Sequence, residues 1–377
     1  MIVRMTDPRD RAPRLALYGS HRGPNGIGRV ICNLANGAVG HGVPVDLLVS
    51  HADSADLALL DAGVRVVTLG AHQGRAAVAR LADYLERERP AVLLGNREWA
   101  NRQALAARRR AAVPVRIAFR VGSPPSAGLA RRHWPSRAWH RARLRQTYRQ
   151  ADQVIANSHG VSADVLALTG LGADLLATLK NPSIPADLDR LASAAAPHPW
   201  LEQRDKPVVL AAGRLVDVKD FVTLLRAFAA LRQQRPARLI ILGEGPERGA
   251  LLSLAEQLGM AQDVALPGFS INPVAWMARA ALFVLSSRYE GSPNVLIEAL
   301  ACGTPAVSTD CPHGPREILD HGRWGRLVPV GDVPALAAAM AVTLDAPLPA
   351  ETLRAAMAPY RVDTAARAYL AALGLLP

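Results

Sequence analysis

The sequence predicts an α/β protein made of two successive Rossmann-like doubly wound domains, each a parallel sheet covered by helices on both faces. Three observations lead there. Short apolar runs of strand length alternate with stretches of helical length along all 377 residues, the pattern of repeated βαβ units. That alternation is interrupted once, by the turn-rich linker Asn181-Pro182-Ser183-Ile184-Pro185. The length suits two domains, each large enough to bury its own core.

In the first half, 14–19, 43–49, 64–69, 91–94, 115–119 and 152–156 read as buried strands, and 28–40 and 74–89 have helical length. After the linker, 207–212, 238–242, 263–266, 281–285, 305–308 and 326–330 read as strands, with helices over 219–233 and 294–301. An Ala/Leu-rich helical pattern over about 351–373 ends the chain. The expected boundaries are 1–180, 181–350 and a final helical segment 351–377. Ligands of doubly wound sheets sit beyond the carboxyl ends of the strands, and two facing domains would enclose a central cleft.

Half the residues are apolar and 20% are charged, a globular composition that excludes disordered and fibrous classes. No run approaches 18 uncharged apolar residues, so no spanning helix is expected. Residues 1–15 are rich in Arg and Asp and lack an apolar core, so a signal peptide is not expected either. Cys32, Cys302 and Cys311 are odd in number and lack C-x-x-C spacing, which argues against a disulfide scaffold or Cys-based zinc and fits a reducing cytoplasm. The ten histidines form no H-x-x-x-H pair, and no metal site is expected. Asp187-Leu188-Asp189 has the D-x-D form of some metal sites, but it follows the linker, where acids at a helix start are the plainer reading.

The net charge of +12 is lopsided. Residues 1–180 hold 26 Lys and Arg against 13 Asp and Glu, whereas 181–377 hold 18 against 19. Within 97–149 stand 14 arginines and one acid, Glu98. A single-sign field of this kind attracts nucleic acid, an anionic bilayer or phosphorylated substrates; the plainer alternative is a solvated Arg-rich face. Aromatics at 5% are too sparse for a single-strand binder, so no nucleic-acid partner is expected. Arg120, Arg131, Arg132, Arg137 and Arg141 are the candidates to meet a phosphorylated ligand or an anionic inner-membrane surface. Trp134 and Trp139 lie in the same segment, and interfacial and core placements are both open.

Each half opens with a glycine loop after its first strand. Gly23-Pro24-Asn25-Gly26-Ile27-Gly28 would let backbone N–H groups approach an anion at a helix start, or simply make a tight turn. In the second half Gly213-Arg214 leaves a strand, and Lys219 follows at the expected start of a helix. A guanidinium and an ammonium converging there would clamp a diphosphate. The stretch 286–298 follows another strand. Ser292 is a plausible N-cap and Pro293 a plausible first helical residue, so amides near Asn294 and Val295 would face an anion. Glu290 lies in the preceding loop with Gly291, and Glu298, on the helix, could take both hydroxyls of a ribose.

The stretches AAGRLVDVKDF, ILGEGPERGALLSLAEQLG and ALFVLSSRYEGSPNVLIEALACGTPAVSTDCPHGPREIL strongly resemble the donor domain of glycosyltransferase family 4. The resemblance is dense over about 205–335 and includes the family's E-x7-E pattern as Glu290 and Glu298; over 1–180 it is weaker. It implies a retaining hexosyltransferase of GT-B fold that uses a nucleotide sugar, expected to be a UDP-sugar, and no metal. By resemblance Arg214 and Lys219 bind the donor diphosphate, with help from Gly213, Gly291, Ser292 and the amides of Asn294 and Val295. Glu298 holds the ribose, Glu290 contacts the transferred sugar, and Gly26 and Gly28 lie by acceptor and phosphate. The family's His after the strand at 115–119 is absent here, which leaves Arg120 or a backbone carbonyl in its place. The basic first half then implies a lipid-linked or phosphorylated glycan acceptor at the inner membrane face, in surface-polysaccharide or glycolipid synthesis. An epimerase or hydrolase on the same fold is one alternative, and a nucleic-acid-binding protein that uses the basic segment is the other.

Overall fold

The computed structural model describes residues 12–19, 26–51, 55–130, 133–196, 198–203 and 205–376. The chain divides into two compact units, residues 1–183 with 362–377, and residues 184–361.

The first unit holds seven strands: β1 (Leu15–Tyr18), β2 (Val45–Val49), β3 (Val64–Thr68), β4 (Val92–Gly95), β5 (Arg116–Val121), β6 (Gln153–Ala156) and β7 (Leu176–Thr178). They are parallel and lie in the order β3-β2-β1-β4-β5-β6-β7. Its first helices are α1 (Gly26–Gly40), α2 (Gly74–Glu88), α3 (Glu98–Ala111), α4 (Pro125–Ala130), α5 (Trp134–Tyr148) and α6 (His159–Thr169). Both sheet faces are covered, which is why these strands read as unbroken apolar runs. Leu15 and Leu17 of β1 pack with Ile31 and Leu34 of α1, while Ala16 and Tyr18 pack on the other side with Leu81 of α2 and Ala104 of α3. Each large apolar side chain buried this way contributes about 1.5–3 kcal/mol. β7 was not foreseen: its three residues are only half-buried and show no period.

The second unit has six parallel strands: β8 (Val208–Ala212), β9 (Arg238–Leu242), β10 (Val264–Gly268), β11 (Leu282–Leu285), β12 (Ala306–Thr309) and β13 (Arg326–Val328). Their order is β10-β9-β8-β11-β12-β13. The helices are α7 (Leu188–Ser193), α8 (Pro199–Gln203), α9 (Phe221–Gln234), α10 (Arg248–Gln257), α11 (Val274–Met277), α12 (Asn294–Ala301), α13 (Gly314–Ile318), α14 (Val333–Asp345) and α15 (Ala350–Ala356). Val209 and Ala211 pack with Leu224 and Phe228 of α9, and Leu210 and Ala212 with Leu296 and Ile297 of α12. In each unit the chain runs outward from a central strand and then resumes on that strand's other side. The switch points, between β1 and β4 and between β8 and β11, open a crevice at the strands' carboxyl ends.

The final segment corrects the expectation of one helix over 351–373. α15 ends at Ala356, Ala358–Tyr360 forms a 3-10 turn, and α16 (Val362–Ala372) follows. Pro359 in that turn has no N–H to continue the ladder. Tyr360 is buried, and its carbonyl accepts from Ile184 N at 3.0 Å. The chain therefore leaves the second unit at 361, not 350. α16 belongs to the first unit, where Tyr369 and Leu370 join the core of Ile31 and Leu34. No single described helix is long and apolar enough to cross a membrane.

Candidate functional site

The second unit's switch point is flanked by the loops that follow β8 and β11. After β8, Gly213 N donates to Leu242 O (2.9 Å) and Leu215 N to Glu244 O (2.9 Å), lacing this loop to the end of β9. Gly243 sits at φ +131°, and a Cβ there would lie 2.0 Å from Gly213 O, so only glycine lets the two loops meet. Arg214 is exposed. Lys219 is not on the helix start as expected. It ends a 3-10 turn, and Asp220 (φ 47°) then turns the chain and caps α9, its carboxylate accepting from Thr223 N at 3.3 Å. An acid, rather than a cation, therefore stands at the positive end of α9.

Lys219 is paired. Its Nζ donates to Glu290 Oε1 at 2.5 Å, with the side chains 20% and 13% exposed. Ser287 Oγ donates to the same carboxylate oxygen at 2.7 Å. Further bonds join the two loops: Ser286 Oγ to Lys219 O (2.8 Å) and Arg288 N to Val218 O (2.8 Å), with the Arg288 guanidinium 3.4 Å from the Asp220 carboxylate. Thr309 Oγ1, at the end of β12, donates to Ser287 O at 2.6 Å. Burial and the neighbouring charge of Glu290 push the Cys311 thiol up to about 12. Cys32, Cys302 and Cys311 are all buried, and none of them forms a disulfide. Burial and the charge of Asp217 also raise the Glu247 carboxyl above its ordinary value.

α12 spans 294–301 as expected, but its cap is shifted by one residue from the expected Ser292. Asn294 is its first residue and Pro293 the cap, at φ −72° and ψ 102°, a residue whose side chain makes no capping bond. The loop before it packs closely on α13: a Cβ on Gly314 would lie 2.6 Å from Gly291 O and 2.8 Å from Ser292 Cα. Asn294 and Val295 are half-buried on the first turn, where N–H groups lack intrahelical acceptors. Glu298 is buried one turn further on. Lys219, Glu290 and Gly213 are thus brought together, with Arg214 in the same loop. Ser287, which orients Glu290, was not assigned from sequence; its only signal was its place directly after an apolar strand.

In the first unit, Gly26 is exposed and Gly28 buried on the first turn of α1. The rest of the glycine loop, like Arg131 and Arg132, lies outside the described residues. Arg137 and Arg141 are exposed on α5. Trp139 is 55% exposed, with the Arg143 guanidinium 5.0 Å from its ring centre, so it is not a core residue. Arg120 is 3% exposed, and burial removes it from the set that could meet a membrane. Its Nη2 donates to Asn181 Oδ1 at 2.5 Å.

Two family models match the chain: "Glycosyl transferase 4-like domain" over residues 25–182 and "Glycosyl transferases group 1" over residues 206–346. With both halves matched, the chain belongs to the group 1 glycosyltransferases. It is 35% identical over 183 residues to the N-acetylgalactosamine-N,N'-diacetylbacillosaminyl-diphospho-undecaprenol 4-alpha-N-acetylgalactosaminyltransferase of Campylobacter jejuni, covering 48% of each chain. It is 38% identical over 136 residues to the lipopolysaccharide core biosynthesis glycosyltransferase LpsE of Rhizobium meliloti, covering 36% of this chain and 39% of that one. The matches thus span half or less of these curated relatives. Among solved structures, Anabaena Alr3699/HepE in complex with UDP aligns at TM-score 0.76 and 21% identity, over 96% of this chain and 100% of that one. The fold is GT-B, two Rossmann-like units, as expected.

Proposed function

We propose that the protein is a retaining hexosyltransferase that moves a sugar from a nucleotide-diphosphate sugar, a UDP-sugar, to a lipid-linked or phosphorylated glycan in surface-polysaccharide or glycolipid synthesis. One observation carries the reading: a half-buried lysine and glutamate, locked together at the switch point beside an exposed arginine and the start of α12. A departing nucleoside diphosphate develops negative charge. Arg214, Lys219 and the first amides of α12 supply fixed positive charge for it, so the reading needs no metal. Glu298 on α12 takes the ribose, and Glu290 lies at the reacting face of the sugar. The HepE structure holds UDP, and the Campylobacter relative's name specifies a diphospho-undecaprenol acceptor; both agree with the reading.

The first unit binds the acceptor in this reading, and α5, with exposed Arg137, Arg141 and Trp139, rests on the anionic inner face of the membrane. The test is a thermal-shift screen of the full chain against nucleotide sugars, followed by transfer assays with the best donor. A ligand that binds only the native state raises the melting temperature. The expected result is a shift with UDP-sugars that Arg214→Ala diminishes. No shift with any nucleotide sugar would overturn the reading.

A further inference from the structure

The carboxyl edge of the first unit's sheet carries buried polar groups with nothing to bond. β4, β5 and β6 are neighbours, and their ends lie side by side next to the switch point between β1 and β4. Asn96, directly after β4, is 6% exposed, and neither its Nδ2 nor its Oδ1 has a partner. Asn157, directly after β6, is 2% exposed; its Nδ2 donates to Gly122 O at 3.1 Å, while its Oδ1 has none. Arg120 of β5 bonds Asn181 through Nη2, but its Nε is unmet. Arg97, half-buried beside Asn96, also has an unmet Nε. Burial, and then the positive charge of Arg120, disfavour the Arg97 guanidinium's charged form.

Buried polar atoms are nearly always bonded, and two neighbouring cations with no carboxylate destabilise a fold unless a ligand completes them. Here the unmet set holds donors (Arg97 Nε, Arg120 Nε, Asn96 Nδ2) and acceptors (Asn96 Oδ1, Asn157 Oδ1). An oxyanion alone would use only the donors; an oxyanion flanked by hydroxyls uses both.

We propose that this edge is the subsite for a sugar phosphate of the acceptor, with Arg97 and Arg120 on the phosphate oxygens and Asn96 and Asn157 on neighbouring hydroxyls. The proposal rests on the reading that the first unit binds the acceptor, and it names that acceptor's chemistry. Two residues beyond Arg97, Trp99 packs edge-on against Tyr18 and His72 and lines a groove of about 560 Å³ with Arg75, Arg102, Gln103 and Arg110. That groove offers the rest of the acceptor an amphipathic bed.

The test is calorimetric titration of glucose 1-phosphate into the full chain, with and without saturating UDP. Wild type should bind one equivalent in both conditions. Arg97→Met should weaken this binding at least about tenfold while leaving UDP affinity within about twofold. It should also raise the melting temperature of the ligand-free protein, because an uncompensated cation is removed; a structural arginine would lower it. Replacing fully buried Arg120 risks the fold, so Asn157→Ala is measured beside Arg97→Met and should also weaken the sugar phosphate. Displacement of glucose 1-phosphate by UDP would assign the edge to the donor and overturn the proposal. So would unchanged binding in both variants, no binding to wild type, or a destabilised Arg97→Met. Failure of the donor reading looks different: UDP itself would not bind, or would bind Lys219→Ala as well as wild type, whatever the sugar phosphate does.

Discussion

Replacing Glu290 by Gln tests whether Lys219 serves a diphosphate, because the two substitutions Glu290→Gln and Lys219→Ala should move nucleotide affinity in opposite directions. In the free protein the Lys219 ammonium is held by Glu290 at 2.5 Å, and the pair is 20% and 13% exposed. At an effective dielectric near 20, unit charges about 4 Å apart attract by about 4 kcal/mol. Most of that is offset by lost hydration, and a charge-assisted hydrogen bond retains about 1.5–3 kcal/mol. A diphosphate has to compete with that bond for Lys219, and it meets the repulsion of the Glu290 carboxylate as well. Glu290→Gln removes the repulsion and leaves Lys219 only a weaker, uncharged acceptor, so UDP should bind about 1–2 kcal/mol more tightly, roughly 5- to 30-fold in Kd. Transfer should nevertheless fall in this variant, since the proposed reading puts Glu290 at the reacting face. Lys219→Ala should weaken UDP by about 2–3 kcal/mol, roughly 30- to 150-fold. The assay is calorimetric titration of UDP into the full chain at one fixed salt concentration, because partly exposed charges are screened by salt. A Glu290→Gln protein that binds UDP no better than wild type, or a Lys219→Ala protein that binds it equally well, would refute the reasoning.

Three further outcomes are expected. EDTA-treated enzyme should keep most of its transfer activity, since in the proposed reading Arg214 and Lys219 meet the leaving group; complete loss restored by Mg or Mn would show that they do not suffice. Asp46 is fully buried and bonded by Arg65, Tyr84 and Arg14. Burial alone would raise its carboxyl, but those three bonds outweigh burial and hold it below the usual range. Its folded value lies under its unfolded one, so its stabilisation is present above about pH 4 and fades as pH falls through the folded value. In urea unfolding at pH 7, Asp46→Asn should cost about 3 kcal/mol, the low end for a broken buried pair because Arg14 and Arg65 reach solvent. The gap to wild type should narrow below pH 4; a gap that widens there would contradict the sign. The protein should co-sediment with anionic but not neutral vesicles and release with added salt, and Arg137→Glu with Arg141→Glu should abolish the binding, each basic residue near the leaflet contributing about 1 kcal/mol. Full retention by that double variant would remove α5 from the membrane.

Much of the fold was legible because strands covered on both faces leave unbroken apolar runs such as RLALYG and PVVLAA. β7 was not, because an edge strand of three half-buried residues carries neither a run nor a period. The break at Pro359 was hidden in an Ala/Leu-rich stretch whose composition reads as helix throughout. At the site, Arg214, Lys219 and Glu290 were singled out from loop position, but not the bond between Lys219 and Glu290. Those residues are 71 apart, and only the adjacency of β8 and β11 joins them. Asn96 and Asn157 were not singled out, and Arg97 was marked only as the start of the basic run over 97–149. After a strand, Asn reads as an ordinary turn residue, and a missing hydrogen-bond partner is a property of tertiary structure alone.

The basic segment shows how a run of charge in sequence differs from a charged surface. Its 14 arginines have unlike fates. Arg108 pairs with Asp152, Arg116 donates to Leu373 O, and Arg145 donates through Nε to Leu168 O, so these are engaged in holding the first unit together. Arg102 pairs with Glu98 on the same helix. Two groups among the others bear on the acceptor reading. Arg97 and Arg120 lie at the sheet's carboxyl edge with no ion pair among the described residues and with their Nε atoms unmet, where low exposure makes an anion's contribution large. Arg137 and Arg141 lie exposed on α5 beside Trp139, where each charge is weak and only the sum holds a surface. The two groups suit different ends of one substrate. In the proposed reading a sugar phosphate meets buried Arg120 and half-buried Arg97, and the lipid to which such a phosphate is joined would bring the exposed helix to its membrane. If the vesicle experiment fails while glucose 1-phosphate still depends on Arg97, the acceptor is phosphorylated but soluble, and the exposed arginines serve only to solvate α5.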